Sequence, residues 1–79
     1  MEIEIRLFAT FRDYLPEGTS GFAFKKTLKK ETTVNEVIKE LNLPEDTPKI
    51  ILIKGNHAKE GYILQDGDVV SIFPPMGGG

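Results

Sequence analysis

The 79-residue chain has no cysteine and only one histidine. Without cysteine there is no disulfide framework, no thiolate metal site and no cysteine nucleophile. That composition is compatible with the cytoplasm. His57 has no convergent partners in the sequence, so it is assigned neither a metal nor an acid–base role. Asp66 and Asp68 flank Gly67, but no loop with enough oxygen ligands for calcium follows them, and they read as a turn. No apolar run nears the roughly 18 residues of a membrane span. The opening Met1-Glu2-Ile3-Glu4 is acidic and alternating, unlike a signal peptide. A formal net charge of −2 argues against nucleic acid as a principal partner. Lys25, Lys26, Lys29 and Lys30 make one basic cluster. It reads as a solvated strand edge, with contact to an acidic partner as the alternative.

What is present is a compact alternation of strand and helix signals. Ile3, Ile5 and Leu7 share one face of a first strand; Glu2, Glu4, Arg6 and Phe8 share the other. Thr10 to Leu15 reads as a short helical turn and Pro16 to Gly21 as turn chemistry. Phe22 to Leu28 reads as a second strand with Phe22 and Phe24 inward. Thr33 with Glu36 three residues on is a capping box. Val34, Val37, Ile38 and Leu41 then mark one helical face, and Pro44 stops the helix near Leu41. Ile50 to Ile53 is too short and too β-branched for a helix and reads as a buried strand. Turns at Lys54-Gly55-Asn56 and Gln65-Asp66-Gly67-Asp68 precede a last strand, Val69 to Phe73, which Pro74-Pro75 ends. A chain this short makes one domain. One amphipathic helix on a mixed sheet of four or five strands is an α+β arrangement.

The last residues, Phe73-Pro74-Pro75-Met76-Gly77-Gly78-Gly79, carry the functional signal. Residues 1–75 are expected to form the domain and residues 76–79 a flexible tail. Three successive residues without a Cβ make a thread that fits a channel too narrow for side chains. Ordering them costs roughly 3–6 kcal/mol, which a partner must offset by docking elsewhere on the domain. The alternative is a frayed terminus without function. By strand alternation Val70 and Ile72 face the helix, which leaves Phe73 outward beside Phe8. Two exposed phenylalanines beside the tail would mark an interface; a one-residue slip would instead bury both. Pro74-Pro75 forms a stiff spacer at about 3.1 Å per residue. Met76 to Gly79, extended, reaches only about 13–14 Å, so a partner's active site must lie close to the docked sheet.

The opening "LFATFRDYLPEG", the ending "LQDGDVVSIFPPMGGG" and the element order between them resemble the ubiquitin-like sulfur carriers. The nearest resemblance is to the small subunit of molybdopterin synthase, the MoaD type. The thiamin sulfur carrier, the ThiS type, comes next. The resemblance implies a ubiquitin-like β-grasp with the first and last strands parallel and central. It also implies chemistry at the Gly79 carboxylate, with Gly77 and Gly78 threading the tail. An adenylating, ubiquitin-activating-like enzyme would use ATP to activate Gly79, and a sulfur donor protein would supply the sulfur of a thiocarboxylate. The large catalytic subunit of molybdopterin synthase would then consume that sulfur. The carrier itself would bind no cofactor and act as a non-catalytic subunit. Phe8, Arg12, Phe73, Pro74, Pro75 and Met76 are the expected partner-binding residues; Arg12 matches an arginine in the family's post-strand turn. The same tail would also serve a covalent protein modifier. A passive interaction module with an inert tail is the third reading.

Overall fold

The computed structural model describes residues 1–75. Five strands form one mixed sheet: β1 (Glu2–Leu7), β2 (Ala23–Thr27), β3 (Ile50–Ile53), β4 (Asn56–His57) and β5 (Val69–Phe73). Their order across the sheet is β2-β1-β5-β3-β4. β1 and β5 are parallel, with Ile5 opposite Val70 and Leu7 opposite Ile72. The other neighbouring strands run antiparallel. One helix, α1 (Val34–Glu40), supplies the second layer. This is a ubiquitin-like β-grasp of the α+β class.

The capping box starts α1. The Thr33 hydroxyl accepts from the Glu36 backbone N–H at 3.3 Å, and the Glu36 carboxylate accepts from the Thr33 N–H at 3.1 Å. Both otherwise orphaned donors are satisfied. The helix ends because Leu41 is its C-cap and Asn42 turns left-handed at φ +64°, a conformation asparagine tolerates better than most residues. Val34, Val37 and Ile38 are buried against Ile3, Ile5 and Leu7 of β1, Ile51 and Ile53 of β3, and Val70 and Ile72 of β5. Two-residue periodicity in the strands thus meets 3.6-residue periodicity in the helix at one core.

The structure changes two sequence-based expectations. β2 begins at Ala23, so Phe22 lies outside the ladder, and it is 42% exposed rather than inward. The lysine cluster divides. Lys25, Lys29 and Lys30 are exposed, whereas Lys26 lies opposite Ile3 and reaches Glu40 on α1 at 2.6 Å. A side chain on the helix side of the sheet thus becomes a tie between β2 and α1. The segment after Gly55 forms a short edge strand, with His57 opposite Leu52.

No helix among the described residues is long and apolar enough to cross a membrane.

Candidate functional site

β1 and β5 run parallel, so Leu7 and Phe73 end at the same edge of the sheet. Phe8, just past β1, donates its backbone N–H to the Ile72 carbonyl at 3.2 Å. That bond extends the ladder far enough to bring the two rings together. Phe8 and Phe73 stack with centroids 4.3 Å apart and planes 7° from parallel. Both are half-buried, while Val70 and Ile72 are fully buried on the helix side. The strand phase is therefore the one that turns Phe73 away from the helix. Phe22 joins them, its ring centroid 5.2 Å from that of Phe8 at 34°. Leu7 N–H donates to the Phe22 carbonyl at 2.9 Å, which fixes the backbone there.

Sequence reasoning missed Phe22 as a member of this cluster. The signal lay in Gly21, which adopts φ +85° immediately before it and redirects the chain before β2 begins.

Arg12 does not meet the aromatic rings. Ala9 adopts φ +52° and leads into a 3-10 helix, Ala9–Tyr14, anchored by buried Phe11. Arg12 is exposed there and lines an open hollow with Asp13, Gly18 and Gly21. Pro74 is half-buried and Pro75 exposed. Met76, Gly77, Gly78 and Gly79 lie outside the described residues, and so does the expectation of a flexible tail.

The other end of the sheet is structural. Asp66 accepts from the Glu2 N–H at 2.7 Å, and Gly67 N–H donates to the Glu2 carbonyl at 2.8 Å. Asp68 is 2% exposed and accepts from the Gln65 N–H at 2.8 Å; the Lys54 ammonium sits 3.8 Å away. Both carboxylates are engaged in pinning the turn before β5. Burial, and then the charge of Asp68, raise the Tyr62 phenol above its usual pKa of 10.0. Among the described residues no three histidine, aspartate or glutamate side chains gather as a metal site.

A parallel central pair within a five-stranded mixed sheet covered by one helix is the fold of the small ubiquitin-like carriers and modifiers. The ThiS family model matches residues 5–79, and the chain belongs to the ThiS family. Over full length on both sides it is 30% identical to small archaeal modifier protein 3 of Haloferax volcanii. A Pyrococcus furiosus structure described as molybdopterin converting factor subunit 1 superposes with a TM-score of 0.73 at 25% identity, covering 95% of this chain and 98% of that one. In a complex of subunits 1 and 2 of the molybdopterin-converting factor from Helicobacter pylori, one chain matches over 100% of both chains, with a TM-score of 0.62 at 24% identity.

Proposed function

We propose that this protein is a sulfur carrier for molybdopterin synthesis, acting through the α-carboxylate of Gly79. The carboxylate attacks the α-phosphorus of ATP on an adenylating partner, and pyrophosphate leaves. A carboxylate is a poor electrophile, and the acyl adenylate supplies a good leaving group. Hydrosulfide released by a donor protein then attacks the acyl carbon, the acyl–phosphate bond breaks and AMP leaves, giving a thiocarboxylate. The large subunit of a molybdopterin synthase-type complex receives that sulfur. The carrier needs no acid, base, metal or bound cofactor of its own, and it works in the cytoplasm as a non-catalytic subunit.

The observation that carries this reading is the Phe8–Phe73 stack, set directly before Pro74 at the end of a central strand. An apolar patch there gives a partner a handle beside the glycine thread. Phe73 and Phe22 form that handle, with Phe8 packed against both rings, Arg12 at its flank and Pro74, Pro75 and Met76 as the spacer to Gly77-Gly78-Gly79. The Helicobacter pylori complex, in which a similar subunit sits with a second subunit, supports a large-subunit partner.

A second reading is a covalent protein modifier, in which a target lysine captures the same adenylate. The full-length similarity to a small archaeal modifier protein favours it specifically. Synthesis of the thiamin thiazole is a third destination for the same thiocarboxylate, in keeping with the ThiS family. Intact mass spectrometry of the protein isolated from cells separates the carrier from the modifier. A mass gain equal to one oxygen exchanged for sulfur identifies a carrier. A ladder of lysine conjugates identifies a modifier. Unmodified chain under conditions of active cofactor synthesis refutes both.

A further inference from the structure

We infer that Phe8 is a positioning residue, which sets through Phe73 the direction in which the chain leaves the sheet. The inference rests on the carrier reading and adds a role for a side chain that need not touch the reacting carbon.

The ladder shows where control of the chain ends. On the β1 side the last backbone bond to β5 is Phe8 N–H to the Ile72 carbonyl at 3.2 Å. Ala9 then turns away at φ +52°, so among the described residues β1 offers no backbone group to residues 73 to 75. On the other side Phe73 pairs with Ile50, and Pro74 has no N–H with which to continue that pairing. The stacked ring of Phe8 is therefore the last restraint from β1, reaching one residue past the hydrogen bonds. Phe22 backs the ring of Phe8 at 5.2 Å. A residue before proline is confined to extended conformations, and Pro74-Pro75 continues as a stiff rod of about 6 Å at 3.1 Å per residue. The torsions of Phe73 are the hinge between sheet and rod, and the stack holds that hinge. Loosening it would leave the docking surface in place but spread the terminus over a larger volume. The loss would fall on the productive fraction of docked complexes rather than on affinity.

The test uses the full chain as wild type, Phe8→Leu and Phe8→Tyr, with an adenylating enzyme of the ubiquitin-activating type from the same source. ATP–pyrophosphate exchange gives kcat and KM for the carrier. Carbon-13 relaxation at the α-carbons of Phe73, Pro74 and Pro75 gives their order in the isolated protein. Leucine keeps apolar bulk, and a thermal melt checks that each variant is folded. In Phe8→Leu, kcat should fall about tenfold or more while KM stays within about threefold, and order should drop at Phe73 to Pro75. Phe8→Tyr, which keeps a stacking ring, should restore both. A rise in KM at constant kcat would make Phe8 a docking contact and overturn the inference. Unchanged order at Phe73 to Pro75 would also overturn it. If the wild type supports no exchange, the carrier reading falls, and the relaxation data still decide whether Phe8 fixes the strand end.

Discussion

Truncating Phe73 to alanine separates a docking residue from a core residue. The side chain is half-buried on the face away from α1. Fully burying a phenylalanine is worth about 1.5–3 kcal/mol, so half burial gives about 1–1.5 kcal/mol. The stack on Phe8 adds about 0.5–1.5 kcal/mol. The expected loss is about 2 kcal/mol, or about 8–16 °C in Tm for a domain of this size. Ile72, the preceding residue, is fully buried, and Ile72→Ala should cost about 2–5 kcal/mol. Urea unfolding of the two variants side by side supplies the comparison. Binding should rank them the other way. If Phe73 seats in an apolar pocket of the adenylating partner, Phe73→Ala should weaken the complex about ten- to a hundredfold, measured by calorimetric titration below the unfolding range. Unfolding losses for Phe73→Ala as large as those for Ile72→Ala, together with unchanged affinity, would refute the reasoning. The aromatic cluster would then be a stability feature with no part in docking.

Extending the chain beyond Gly79 with a C-terminal tag should abolish adenylation, checked by pyrophosphate exchange; full activity of a tagged protein would sink the terminal-carboxylate mechanism. Thr33→Ala removes one half of the capping box and should cost about 1 kcal/mol by denaturant unfolding, with partner affinity unchanged. Asp68→Ala strips the acceptor from the Gln65 N–H in a buried site and should cost about 1–3 kcal/mol, while Asp68→Asn, which can still accept, should cost less. The Tyr62 phenol titrates higher in the folded protein than its ordinary value of 10.0. Its contribution is therefore complete below about pH 10 and lost as pH rises through the folded pKa. Tyr62→Phe should flatten that part of the alkaline stability profile, and an unchanged profile would show that the shift has no energetic weight.

The sequence made the core legible because one period governs each element. Ile3, Ile5 and Leu7 alternate without interruption, and Val34, Val37 and Ile38 follow a capping box whose two bonds both form. The phase of β5 followed from Val70 and Ile72 and put Phe73 on the outer face. β2 is where this logic stops. Alternation alone would set Phe22 with Phe24 on the helix side, but the last registered pair is Arg6 with Ala23. Beyond it the pleat no longer fixes the ring, and Phe22 swings to Phe8. Lys26 shows the converse, a charge on the inner side made tolerable by Glu40 of a distant element. Lys49 was equally invisible. Its ammonium donates to the backbone carbonyls of Pro44 and Thr47, ordering the loop into β3 through acceptors that every residue carries. Arg12 could be assigned only by resemblance, because nothing in its local pattern says which way a 3-10 helix will point it.

Placing the last strand in the middle of the sheet has a mechanical consequence for any protein that offers its terminus to a partner. β5 is laddered to β1 on one side and to β3 on the other, with four registered residue pairs along each. An edge strand would have only one ladder and would fray towards its end, because local opening follows the loss of buried contacts and protected hydrogen bonds. Here the core residues Val70 and Ile72 sit within three residues of Phe73 and are fully buried. A partner that pulls on the chain beyond Pro75 therefore pulls against two ladders and the centre of the core. The transition from anchored strand to proline rod is confined to one residue, Phe73. That sharp boundary keeps the fold behind Phe73 anchored up to its last strand residue. Phe8 and Phe22, the rings beside Phe73, likewise lie on backbone hydrogen-bonded to the same central pair.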